Sequence, residues 1–277
     1  MPLALVAFAF ALGLVVGSFL NVCILRIPAG ESIVLPASHC PKCGKAIAPY
    51  DNVPVLSWLL LRGKCRSCKA PISAMYPLVE FLTGGLFAAC AWVFGPSLAA
   101  GKWAVFCALL VVLAVTDLRE RILPDKVNLT GAILGLVWSG VVPVRDGTAL
   151  WLSNRMFDFP PPGPALSVAD AVLGAMVGAG VLWLFAEGYF RLRGQEGMGL
   201  GDVKMMGMAG AFLGAKAVLL TIMAGAILGS VLGLAFMLFQ RKGGDYELPF
   251  GLFLAAGALL TVFYGPPLIQ WYFSRLA

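Results

Sequence analysis

The sequence predicts an all-α polytopic membrane protein of about eight transmembrane helices, with a small cysteine-rich insert between the first two. Three observations carry that reading. The 277 residues are 60% hydrophobic and only 12% charged, with a mean hydropathy of +0.89, far above the ~45 to 50% apolar content of a soluble domain. The apolar runs last mostly ~17 to 25 residues and are punctuated by Gly and Pro, which suits bilayer-crossing helices and not the alternating pattern of a barrel. One stretch, 26–76, is instead polar, basic and rich in cysteine.

Taken in order, the expected spans are 2–25, 77–95, 103–116, 127–144, 168–190, 203–215, 217–239 and 249–273. The first is a span and not a cleavable signal, because no Lys or Arg precedes Arg26 and the run is too long for a signal h-region. The sixth is short, about 20 Å as helix against a ~30 Å hydrocarbon core, so it begins earlier, thins the bilayer or ends against protein. The segment 143–167 contains Pro160-Pro161-Pro162-Gly163-Pro164. Prolines remove donors and break helices, so it is expected to be an external loop without regular structure throughout.

The net charge of +6 is spread over several short loops, which argues for topology and against nucleic acid as a partner. Fifteen of the twenty basic residues fall in 26–75 or at Arg119, Arg121, Lys126, Arg191, Arg193, Lys204, Arg241 and Lys242. Lys102, Arg145, Arg155, Lys216 and Arg275 remain for the other side. The positive-inside rule then puts the insert in the cytoplasm and both termini outside.

Cys40-Pro41-Lys42-Cys43 and Cys65-Arg66-Ser67-Cys68 form two C-x-x-C pairs. Their spacing lets two knuckles converge on one tetrahedral metal, as zinc ribbons do, and a reducing cytoplasm disfavours disulfides. A four-cysteine zinc site would fold an insert too small to build its own core and would leave no open coordination position, so the metal is expected to be structural. Cys23, Cys90 and Cys107, in apolar spans, read as small buried hydrophobes.

Acids in loops, such as Glu31, Asp51, Asp146, Asp158, Asp245 and Glu247, read as solvated. Five touch apolar spans, where an acid is a functional hypothesis by default. Asp170 falls at an outer edge as an interfacial charge or helix start, and Glu187 reads as a local pair with Arg191. Glu80, one turn inside the second span, would receive a basic substrate group or hold a helix. Asp117 ends the third span, and Asp202 follows Gly197-Met198-Gly199-Leu200-Gly201, at the same cytoplasmic depth. Two carboxylates so placed suit aspartic-protease chemistry, in which one takes a proton from water while the other polarises the scissile carbonyl. Close like charges oppose double ionisation, so they would titrate as one unit. The bland alternative pairs each acid with a neighbouring base, Lys204 or Arg119.

With these residues in hand, the chain resembles the type IV prepilin peptidases, bacterial membrane enzymes of the GxGD aspartic class. The motifs are Gly17-Ser18-Phe19-Leu20-Asn21-Val22, Arg26-Ile27-Pro28, both C-x-x-C knuckles, Asp51-Asn52-Val53-Pro54, Tyr76-Pro77-Leu78-Val79-Glu80, Asp117 through Pro124-Asp125, Gly197 to Lys204, and Pro249-Phe250-Gly251. Met75 stands where many relatives carry Arg, and Leu123 where isoleucine is common.

The resemblance implies a bacterial inner-membrane enzyme with three parts: a first helix at 1–25, a tetracysteine insert at 26–76 and a protease domain at 77–277. It would remove the leader of type IV prepilins or pseudopilins after a glycine at the cytoplasmic face. It would then methylate the new amino terminus with S-adenosylmethionine, whose contacts the motifs do not place. Asp117 and Asp202 would be the dyad. Gly199, Gly201, Lys204, Glu80, Asp125, Pro249 and Gly251 would bind substrate or shape the site. A presenilin-like protease explains the aspartates but not the knuckles, and a transporter or scaffold with a zinc docking domain explains the knuckles but not the aspartates.

Overall fold

α-Helix covers most of each of the eight apolar stretches. The computed structural model describes residues 2–144, 146–156, 163–195, 197–240 and 249–276. Expectations resting on Arg145, Asp158, Pro160 to Pro162, Arg241, Lys242, Asp245 and Glu247 lie outside the described residues.

The helices are α1 Leu3–Arg26, α2 Leu56–Leu60, α3 Met75–Phe94, α4 Leu98–Glu120, α5 Asp125–Val141, α6 Thr148–Met156, α7 Gly163–Arg193, α8 Leu200–Leu213, α9 Ala215–Gln240 and α10 Phe250–Leu276. Among the described residues there is no strand, only isolated bridges between His39 and Ala46 and between Lys64 and Pro71. Among the described residues, five helices are long and apolar enough to cross a membrane: α1, α3, α4, α7 and Ala215–Ala235 of α9. The apolar stretch Phe250–Gly265 of α10 is shorter. So are α5, at 17 residues, and α8, at 14. The chain forms two compact units, Met1–Val112 and Leu113–Ala277.

In the first unit α1 lies against α3 at backbone distance. A Cβ at Gly13 would come within 2.8 Å of Gly84 Cα, and one at Gly17 within 2.7 Å of Glu80 Cα, the close approach that small residues four apart permit between membrane helices. The Asn21 amide donates to the Tyr76 carbonyl at 3.0 Å. Cys23, Cys90 and Cys107 are buried as expected. Lys102 is not a loop charge: it is 1% exposed, with Nζ 4.9 Å from the Trp103 ring centre, a cation–π contact.

The second unit is built around α8, which packs against α5, α7, α9 and α10 and buries ten of its fourteen residues. This accounts for the short sixth span. The helix begins at Leu200 rather than 203 and is sheathed by protein, so it has no hydrocarbon thickness to match on its own. Its closest crossing is with α7, where a Cβ at Gly210 would lie 2.0 Å from the Gly174 carbonyl oxygen and one at Gly174 would lie 2.3 Å from that of Gly210. Only a shift of both backbones accommodates a side chain there. Gly210→Val is expected to destabilise this unit by at least ~1 to 3 kcal/mol, read as a lowered thermal midpoint in detergent; an unchanged midpoint would refute the crossing.

Two local features went unpredicted. Within the expected loop 143–167 lies α6, and α7 starts at Gly163 with Pro164 in its first turn, where a missing N–H costs nothing. Asp170 is neither an interfacial charge nor the start of its own helix. It is buried within α7, accepts from Ala149 N at 2.7 Å and Gly147 N at 3.2 Å, and so caps α6 from across the fold. Glu187 does pair locally with Arg191, at 2.7 Å.

Candidate active site and cysteine centre

Asp117 and Asp202 both belong to the second unit. Asp117, 6% exposed on the last turn of α4, is held from outside its own helix. Its Oδ2 accepts from Leu252 N at 3.0 Å, one of the first amides of α10, which have no partner inside that helix. This gives Pro249-Phe250-Gly251 a structural reason. Pro249 precedes the first helical residue, and a Cβ at Gly251 would come within 2.9 Å of Asp117 Oδ2 and 3.0 Å of Leu123 Cδ1. Any side chain at 251 would therefore displace the carboxylate or the leucine.

Asp202 is the third residue of α8 and 8% exposed. The extended Gly199 (φ −72°, ψ 144°) leads the chain into the helix. Gly201 packs on Leu123, whose Cβ would be 2.9 Å from a Cβ added there. Leu123 lies against both Gly201, next to Asp202, and Gly251, next to the Asp117 carboxylate, so the two acids share one neighbourhood. Asp202 Oδ1 is buried with no hydrogen-bond partner among the described residues, an arrangement that is costly unless a ligand or a shared proton meets it.

The bland pairing of Lys204 with Asp202 does not occur. Lys204 Nζ binds both oxygens of Asp125, at 2.8 and 2.7 Å, and so ties the start of α8 to the start of α5. The pair is exposed, worth no more than ~1 kcal/mol, and serves register more than stability. One turn along α5 is Asn128, which the sequence reading did not single out. It is buried, its Nδ2 reaches the Leu123 carbonyl at 3.5 Å, and its Oδ1 has no partner among the described residues. The available signal was its spacing of three from Asp125, which puts both on one helix face.

Glu80 belongs to the first unit and there holds a loop. Its Oε2 accepts from Val55 N at 2.7 Å. Val55 has φ +60°, a strained value for a β-branched residue. Upstream in this loop, Asp51 takes a forked bond from Arg66 (Nε 2.8 Å, Nη2 2.6 Å). The guanidinium holds the Asp51 carboxyl below its ordinary pKa and lies over the Tyr50 ring.

The four cysteines converge. Their sulfurs all lie within 4.8 Å of one another, with Cys40 and Cys68 Sγ 3.8 Å apart. Four sulfurs ~2.3 Å from a tetrahedral centre are ~3.8 Å apart, so the donor set fits a metal of that size. The knuckles repeat one local design. Cys40 N donates to Lys45 O and Cys65 N to Ala70 O, and the residue after each second cysteine, Gly44 or Lys69, has positive φ. Amides of Cys43 and Lys42 hold the Cys40 thiol down to about 6, and those of Cys68 and Ser67 lower Cys65. Thiolates are the form that binds metal.

The chain matches the model of the Bacterial Peptidase A24 N-terminal domain over residues 11–94 and that of the Type IV leader peptidase family over 104–234. It is similar to proteins named prepilin leader peptidase/N-methyltransferase. One from Burkholderia pseudomallei is 37% identical over 94% of this chain and 86% of its own. One from Aeromonas hydrophila is 33% identical over 99% and 96%, and one from Pseudomonas aeruginosa is 33% identical over 98% and 94%. No solved structure matches the chain.

Proposed function

This chain belongs to the prepilin leader peptidase/N-methyltransferase family, and we propose on that premise that Asp117 and Asp202 are its aspartic dyad. The observation that carries the assignment is their convergence in one unit, Asp117 fixed by an α10 amide and Asp202 buried with an unpartnered oxygen. One carboxylate, ionised, takes a proton from water. The other, protonated, hydrogen-bonds the scissile carbonyl, and the resulting tetrahedral intermediate collapses as the amine leaves with a proton. Pro249 and Gly251 position Asp117, Gly199 and Gly201 let an extended backbone approach Asp202, and Lys204 with Asp125 sets the register of α8 on α5.

The substrates are type IV prepilins or pseudopilins, cut after a glycine, whose new amino terminus is methylated with S-adenosylmethionine as co-substrate. Their basic leader and apolar helix place the cut at the inner bilayer interface, where charge bias puts both aspartates. The enzyme thus sits in the bacterial inner membrane with all eight apolar helices inserted, the dyad and the insert cytoplasmic, and both termini periplasmic. Zinc is the metal that fits Cys40, Cys43, Cys65 and Cys68, and it supplies folding energy to the insert 26–76 rather than chemistry. Glu80 anchors that insert to α3 through Val55. The shared name of the relatives favours this reading over a presenilin-like protease or a non-enzymatic scaffold.

The test is the mass of the product after incubating the purified protein with a precursor and S-adenosylmethionine. The expected product lacks the leader and is one methyl group heavier at its amino terminus. A cleaved, unmethylated product would restrict the protein to peptidase activity, and an intact precursor would refute the reading.

A further inference from the structure

We infer that Leu123 is the specificity wall of the active site, the side chain that limits which residue can precede the cut; this rests on the leader-peptidase reading above. Leu123 is 9% exposed and borders both Gly201, the residue before Asp202 on α8, and Gly251 on α10, the residue before the amide that holds Asp117. A Cβ at Gly201, next to Asp202, would lie 2.9 Å from Leu123 Cβ and 3.3 Å from its Cδ1. A Cβ at Gly251 would lie 3.0 and 3.1 Å from its Cδ1 and Cδ2, and 2.9 Å from Asp117 Oδ2. Its side chain therefore fills the space at the glycine before Asp202 and at the glycine beside Asp117.

The wall is held rigidly. A residue before proline is confined to extended backbone, and Leu123 precedes Pro124. The Pro124 carbonyl accepts from Val127 N at 3.0 Å and Asn128 N at 3.2 Å, the Asn128 side chain reaches the Leu123 carbonyl, and Asp125 is tied to Lys204. A scissile carbonyl that meets both carboxylates brings the Cα of its own residue to within one bond, ~1.5 Å, of the carbon under attack. The side chain on that Cα then meets Leu123. A glycine passes, and a methyl group collides.

One extra carbon in a packed pocket changes rates by ~10 to 200-fold. The wild-type enzyme is therefore expected to cut a precursor with glycine before the cut that much faster than the same precursor with alanine. In Leu123→Ala this ratio is expected to fall below ~10-fold through faster cutting of the alanine precursor. Leu123→Val, which removes one carbon and keeps a branched apolar body, is expected to give an intermediate ratio and keeps the test decisive if Leu123→Ala does not fold. An unchanged ratio in a variant that still cuts the glycine precursor would overturn the inference and leave the leader-peptidase reading intact. Failure of the wild type to cut the glycine precursor would instead sink that reading.

Discussion

Asp117→Asn and Asp202→Asn are each expected to reduce leader cleavage by at least ~10³-fold while the protein remains folded and inserted. Asparagine preserves the size of the side chain and, at 117, an oxygen able to accept from Leu252 N, so packing around the site survives. What it removes is the exchangeable proton, and positioned acid–base groups contribute ~10² to 10⁴-fold each. The two losses are not additive, because the acids work on one water and one proton between them. The double variant is therefore expected to be no slower than the poorer single one. Glutamate at either position keeps the proton but moves it by about a bond length, and misplacement of ~1 Å costs ~10²-fold. The measurement is the rate of precursor processing in detergent or reconstituted bilayers, with the thermal midpoint recorded alongside. Normal cleavage in either asparagine variant would end the dyad assignment.

The second large effect concerns the knuckles. Purified protein is expected to hold close to one zinc per chain, and Cys65→Ser with Cys68→Ser to hold almost none. Structural zinc contributes an apparent ~10 to 16 kcal/mol in small domains at neutral pH, far more than the hydrogen bond from Val55 to Glu80 adds. Its apolar side chains Val34, Leu35, Leu59 and Leu60 are exposed. Segment 26–74 should then become sensitive to protease while α1 and α3, packed backbone to backbone, remain resistant. Gly44→Val should weaken retention more mildly, because the turn it completes needs positive φ and a β-branched residue is strained there. Full zinc content in the double serine variant would dismiss the tetracysteine site.

The elements that could be read in advance were those whose cause lies in local sequence. Runs of apolar residues of membrane-crossing length became helices, and the cysteine spacing brought four sulfurs together, because both signals are periodic or local. Asp117 and Asp202 stood out as acids at the mouths of apolar segments. What sequence did not reveal was the set of partners supplied by backbone. The amide of Leu252 that fixes Asp117 and the amides of Gly147 and Ala149 that bind Asp170 carry no side-chain signature, since every residue but proline offers the same donor. The motif Pro249-Phe250-Gly251 could be quoted, but its purpose needed the fold. Lys102 was misassigned because a lone lysine near a span end reads as a loop charge, and only packing shows that it is enclosed. Lys204 was weighed against the nearest acid in sequence, whereas it pairs with one 79 residues away.

The hold that α10 has on Asp117 also sets a time order on the enzyme's manufacture. Leu252 follows Asp117 by 135 residues, so a ribosome finishes both acids, and most of the bundle, well before it makes the amide that orients the first acid. On the proposed dyad, a growing chain carries both acids before it carries the amide that aims one of them. Under that proposal competence waits for the tenth helix, and a half-made chain has no working edge to turn on its neighbours in the membrane.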